Sequence, residues 1–154
     1  MVTTVDIDTA RRVVAAVTDP EIPSLTIEDM GILRSVESVP GGVRVVITPT
    51  YSGCPAMTQI RDDIRASLDT LDAGEVEVET VYSPAWTTDW MTEDARAKLE
   101  AEAIAPPTYP GDARCPRCHA TQPKVLSPFG TTACKALMVC SGCGEPFDLF
   151  KVLR

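Results

Sequence analysis

The sequence predicts an α+β protein: a small mixed-sheet α/β domain followed by a four-cysteine zinc ribbon. Helical and alternating apolar periods succeed one another through the first two-thirds of the chain. The remainder carries two C-x2-C pairs, Cys115 with Cys118 and Cys140 with Cys143, at a spacing suited to one tetrahedral metal ion. Charge divides at the same place. Residues 1–114 hold 9 Lys+Arg and 20 Asp+Glu (net -11), whereas residues 115–154 hold 5 and 2 (net +3).

The elements follow in chain order. Ile7, Ala10, Val14 and Val17 recur at helical spacing behind Asp6, a capping residue, and Pro20 lies just beyond. The stretch DPEIPSLTIEDMGI contains Pro20 and Pro23 among clustered acids, which opposes regular structure and predicts a shaped loop. Residues 32–39 and 43–50 read as two strands joined at Pro40-Gly41-Gly42, a hairpin signal. Past Cys54, with Pro55 as first helical residue, the series Met57, Ile60, Ile64, Leu68 and Leu71 predicts a long helix. Val76, Val78, Thr80 and Tyr82 then alternate as a third strand, and a helix crossing between strands favours parallel pairing. Thr92-Glu93-Asp94 opens a last helix reaching about Ile104. Residues 105–114, with three prolines and a glycine, read as a semi-rigid linker. The expected domains are therefore 1–104, a linker 105–114, and a ribbon 115–154.

Composition narrows the functional classes. No apolar run approaches bilayer thickness, and the acidic N-terminus does not resemble a secretory signal, so a cytoplasmic protein is expected. In a reducing compartment six cysteines favour metal or reactive thiols over disulfides. The acidic main domain repels phosphate backbones, which excludes nucleic acid as its expected partner and favours proteins. Zinc with four thiolates is net negative, a charge that Arg117, Lys124 and Lys135 are placed to offset.

The ribbon cysteines are read as holding Zn(II). Two intervening residues let a tight turn aim both sulfurs at one ion, and a small apolar-poor segment needs the metal to fold. A rubredoxin-like centre, one iron on the same four cysteines, would instead make the chain an electron carrier. Cys115 to His119 also spells C-x-x-C-H, the haem-attachment string, but attachment requires export. His119 itself reads as a surface residue, and Cys134 as a packed ribbon residue.

Cys54 is the remaining thiol. At a helix start it would gain from free N-H groups that lower its pKa, preparing it as a nucleophile or transferable-metal ligand. A buried, inert cysteine fits its position equally well. With no histidine nearby in sequence to serve as base, a hydrolase is disfavoured.

Three stretches, DPEIPSLTIEDMGI, TPTYSGCPAM and PAWTTDWMTEDARAKL, together resemble the small iron-sulfur assembly family that includes SufT and the eukaryotic cytosolic targeting factor. The tail SPFGTTACKALMVCSGCGEPFDLFK is similar to the zinc-ribbon extension of the PaaD (PaaJ) family, accessory subunits of the bacterial phenylacetyl-CoA epoxidase system. The resemblance implies a non-catalytic accessory or maturation role in aerobic phenylacetate degradation. It implies a transient iron-sulfur cluster or iron handled by Cys54 with Asp19 and Glu21. It also implies protein partners, the di-iron oxygenase or the [2Fe-2S] flavin reductase of that system. From the residues alone, Asp19 and Glu21 are also readable as solvated loop carboxylates. Trp86 and Trp90, around Asp89, are candidates for partner docking or for packing over the sheet.

Overall fold

The computed structural model describes residues 5–153, which divide into two compact units, the first ending at Trp86 and the second beginning at Thr87. In the first, helix α1 (Ile7–Ala15) is capped by Asp6, whose side chain accepts from the Thr9 amide at 3.0 Å. Strands β1 (Leu33–Val39) and β2 (Gly42–Ile47) pair antiparallel across the predicted hairpin. Helix α2 (Ala56–Asp69) crosses to β3 (Glu75–Thr80), which lies parallel to β2, giving the order β1-β2-β3. Alternation along β2 buries Val43, Val45 and Ile47, while Ile60, Ile64 and Leu68 present one fully buried stripe of α2. Burying such a Val, Ile or Leu side chain is worth about 1.5–3 kcal/mol, so these residues are a main stabilising term of the unit.

The parallel pairing depends on Gly42. A Cβ there would lie 1.8 Å from the carbonyl oxygen of Glu75, its register partner, so only glycine admits the approach. The second strand ends at Ile47, earlier than the sequence suggests. The Thr48 amide donates to the carbonyl of Ile32 at 2.9 Å, and Pro49 has no donor to continue the ladder. Pro55 occupies the N-cap of α2, one place before the expected first helical position.

The second unit contains α3 (Glu93–Ala101), capped by the Thr92 hydroxyl, and a four-stranded sheet. Its strands are β4 (Ile104–Ala105), β5 (Lys124–Ser127), β6 (Lys135–Val139) and β7 (Pro146–Phe150), in the order β4-β7-β6-β5. Two expectations are corrected here. The last helix stops at Ala101, because Ala103 takes a φ of 59° and Ile104 then pairs in parallel with Asp148 of β7. Residues 105–114 are not a linker: Ala105 and Ala113 are buried among Ala136, Met138, Phe147 and Leu149, and a 3-10 turn spans Pro110–Asp112. The chain therefore divides after Trp86, not at residue 104, and α3 packs against β4 inside the ribbon unit. Among the described residues no helix is long and apolar enough to cross a membrane.

Candidate metal centre and cysteine site

The ribbon sulfurs converge. The Sγ atoms of Cys115, Cys118, Cys140 and Cys143 all lie within 4.8 Å of one another, the single such ligand group among the described residues. Cys118 and Cys140 are 3.4 Å apart and Cys115 and Cys143 are 3.8 Å apart. Four sulfurs about 2.3 Å from a shared tetrahedral ion stand about 3.8 Å from one another, so the set fits a tetrathiolate metal site.

Each knuckle is built the same way. The amide two residues on donates to the first sulfur, Arg117 to Cys115 at 3.4 Å and Gly142 to Cys140 at 3.2 Å. The amide four residues on donates to the first cysteine's carbonyl, His119 to Cys115 at 2.9 Å and Gly144 to Cys140 at 3.1 Å. In both, that fourth residue is left-handed, with φ of 64° at His119 and 76° at Gly144. The exposed His119 thus occupies the turn position that glycine fills in the second knuckle, which gives C-x-x-C-H a conformational explanation. Gly142 is required for space as well: a Cβ would meet that of Ala120 at 2.9 Å and the sulfurs of Cys118 and Cys140 at 3.5 and 3.6 Å.

The cluster is electrostatically uneven. Amide donation from Cys143, and further from Gly142, outweighs burial and draws the Cys140 thiol down to about 6. At Cys143 the Glu145 amide acts downward, yet burial and the sulfurs of Cys140, Cys118 and Cys115 push it up to about 11. One thiolate forms readily, and its charge holds the proton on its neighbour; a cation among the four removes that conflict. Lys135 does not serve as expected. It is 5% exposed and its Nζ lies 4.0 Å from Oδ2 of Asp148, so its charge faces that carboxylate. Sequence reasoning missed this pair, for no local pattern links positions 135 and 148. Cys134 is buried, as expected, with its sulfur 3.0 Å from the Thr132 hydroxyl.

The second thiol site lies in the first unit. Cys54 is partly buried in the turn before α2, its amide donating to Tyr51 at 3.3 Å. Contrary to the expectation of a lowered pKa, its thiol is pushed up. Burial is the largest cause, and the charges of Glu21 and Asp19 add to it, against donors at Ala56 and Thr50. The Pro20–Pro23 loop therefore brings both carboxylates within electrostatic reach of Cys54. Asp19 is no solvated carboxylate: it is 7% exposed, and its Oδ1 accepts from the amides of Glu21 at 2.7 Å and Ile22 at 3.1 Å.

The tryptophans separate in role. Trp86 is 3% exposed and donates its indole N-H to the carbonyl of Met30 at 2.8 Å, so it is a packing residue and not a docking one. Trp90, half-buried, closes the 3-10 turn Thr88–Trp90 of the second unit.

Comparison with known proteins decides the family. Residues 102–151 match the PaaD zinc beta ribbon domain, and residues 7–80 match the iron-sulfur cluster assembly protein family. An Escherichia coli (strain K12) protein, named as one subunit of a "Putative 1,2-phenylacetyl-CoA epoxidase", is 46% identical over 142 residues, spanning 88% of this chain and 86% of that protein. The chain belongs to the PaaD family. Its first unit has wider kin. The Staphylococcus aureus (strain USA300) Fe-S protein maturation auxiliary factor SufT is 35% identical over 85 residues, 54% of this chain and 96% of that one. A solved domain of unknown function from Bacillus anthracis superposes with a TM-score of 0.55 at 27% identity, covering 60% of this chain and 90% of its own. The PaaD ribbon match begins at residue 102, inside the second structural unit, and residues 81–101 fall in neither family match.

Proposed function

We propose that this chain is a non-catalytic maturation subunit of a phenylacetyl-CoA ring epoxidase system. In this reading Cys54, flanked by Asp19 and Glu21, passes an iron-sulfur cluster or iron to a protein component of that system, its di-iron oxygenase or its [2Fe-2S] flavin reductase. The ribbon, folded on a structural zinc ion held by Cys115, Cys118, Cys140 and Cys143, docks the recipient. The names borne by the E. coli and S. aureus relatives support this reading.

The observation that carries it is a partly buried thiol that prefers its proton, within electrostatic reach of two loop carboxylates. At neutral pH Cys54 is a neutral thiol, and as a cargo iron binds, the Sγ-H bond breaks, the S-Fe bond forms and the proton leaves to solvent. Asp19 and Glu21 favour the approaching cation, while competition from the proton keeps the single S-Fe bond weak. A ligand that binds its cargo loosely suits delivery.

Elemental analysis with a visible spectrum, on anaerobically purified protein and its Cys54→Ala variant, tests the proposal. About one zinc per chain in both, with iron and sulfide in the wild type alone, is the expected result. Iron replacing zinc and persisting in the variant would overturn it in favour of a rubredoxin-like electron carrier. Zinc in both, without iron in either, would remove the delivery role of Cys54.

A further inference from the structure

The ribbon sheet has two edge strands, the two-residue β4, against which α3 packs, and β5. β5 pairs with β6 and, among the described residues, has no neighbour on its other side. Its central side chains are apolar and solvent-facing: Val125 is 50% and Leu126 57% exposed, and Phe129, two residues past the strand, is 63% exposed. Solvated edges are normally blunted by charge along their length, whereas this one carries Lys124 only at its start. Pro123 and Pro128 bound the strand, a device that stops open-ended stacking yet leaves the four residues between them free to pair.

Two further features lie beside the edge. A cavity of about 360 Å³ opens between Phe129, Leu137, Pro146 and Phe147, with the Lys135-paired Asp148 at its wall, large enough for one big apolar side chain. The exposed charge along the edge itself is positive: residues 113–144 contain no Asp or Glu and hold Arg114, Arg117 and Lys124, while buried Lys135 is turned to Asp148. Lys151 adds to it, its Nζ 4.6 Å from the centre of the Phe129 ring and donating to the Pro128 carbonyl at 2.9 Å. Cations thus stand at both ends of an apolar stretch.

We propose that β5 takes up a short extended segment of a partner protein as a fifth strand, a segment in which large apolar residues alternate with Asp or Glu. One apolar side chain fills the cavity beneath Phe129, and the carboxylates face Lys124 and Lys151. Backbone pairing supplies affinity and the pocket with its flanking cations supplies selectivity. The inference rests on the ribbon being the docking module of the proposed function, and it names the surface and partner chemistry that docking uses. Nucleic acid fits less well, since phosphates gain nothing from exposed Val125 and Leu126.

The test is an amide-shift titration of the zinc-loaded full chain with a synthetic peptide alternating leucine and glutamate. A second peptide with lysine in place of glutamate, and an oligothymidine, serve as the other arms. The glutamate peptide is expected to shift the amides of residues 124–127 and to be weakened about fivefold or more by Phe129→Ser. Exposed Lys124→Glu should move the preference to the lysine peptide. Retained zinc and unchanged amides elsewhere show that each variant is folded. No shift with either peptide, equal response to both, or the same shifts with oligothymidine would overturn the proposal. Cys54→Ala should leave peptide binding intact, so failure here and failure of the delivery role are distinguishable.

Discussion

Cys54 and Cys140 are the same residue type with opposite tendencies, and burial together with the neighbouring donors and charges accounts for the contrast. Cys140 receives amide hydrogen bonds from Gly142 and Cys143 at 3.2 and 3.4 Å, which draw its pKa to about 6 and prepare a thiolate that three further sulfurs help to complete. Cys54 is one thiol, partly buried, with Glu21 and Asp19 opposing its ionisation. The first arrangement suits lasting retention of a cation; the second suits the loose, transferable binding proposed for Cys54. The units that carry them differ in the same sense. The first buries the apolar faces of β2 and α2, while the core cluster of the second sets three alanines beside Met138, Phe147 and Leu149 and incorporates Cys115 and Cys140 themselves.

That contrast is open to experiment, most strongly by removing the metal. A strong chelator, or Cys140→Ser, should abolish amide dispersion in residues 87–153 while leaving the first unit's spectrum in place. Structural zinc contributes about 10–16 kcal/mol of apparent binding free energy in comparable small modules, more than this core can replace. Simultaneous collapse of both units would show that their stabilities are not separate.

The converse experiment acts on the first unit. Trp86→Ala removes a buried indole and leaves the Met30 carbonyl without that donor, a loss of about 3–5 kcal/mol. Gly42→Ala forces a Cβ onto the Glu75 carbonyl and should cost about 3 kcal/mol or more. Denaturant titration should show both, with bound zinc unchanged; loss of zinc in either variant would break the division.

Glu21→Gln sharpens the Cys54 side of the comparison. Removing one opposing charge should lower the thiol pKa and speed alkylation near pH 8 about two- to fivefold. The linkage has a definite sign. Because the folded chain holds the Cys54 proton more tightly than the unfolded chain, stability is unaffected below the ordinary thiol pKa and falls as pH rises from there to the elevated value. A variant that reacts no faster would show that Glu21 does not act on the thiol. The smallest effect is expected at His119→Gly, which relieves a left-handed φ of 64° and should add about 0.5–1 kcal/mol to ribbon stability with metal content unchanged. A drop in metal content would give His119 a role beyond the turn.

Much of the site was legible locally. The two C-x2-C pairs specify the converging sulfurs because two-residue spacing dictates a knuckle, and the apolar periods of Val43–Ile47 and Ile60–Leu68 specify the strand and helix that form the first core. The unit boundary was not legible. Proline content around residue 106 suggested a linker, but pairing of Ile104 and Ala105 with β7 overrode that local signal. The direction of the Cys54 shift was misjudged for a similar reason: helix-end donors are visible in sequence, whereas burial and carboxylates brought from positions 19 and 21 are not.

By itself the sequence determined which cysteines form the candidate metal site, which segments of the first unit are helix or strand, and that the chain has an acidic part and a basic ribbon, since each rests on spacing or composition within a few residues. The tertiary structure alone decided the partners of those residues: that Trp86 is packed, that Lys135 faces Asp148, that the charges of Asp19 and Glu21 act on Cys54, and that β5 lies at an open edge. Such contacts join positions far apart in the chain, and burial and charge act through space with no trace in local pattern.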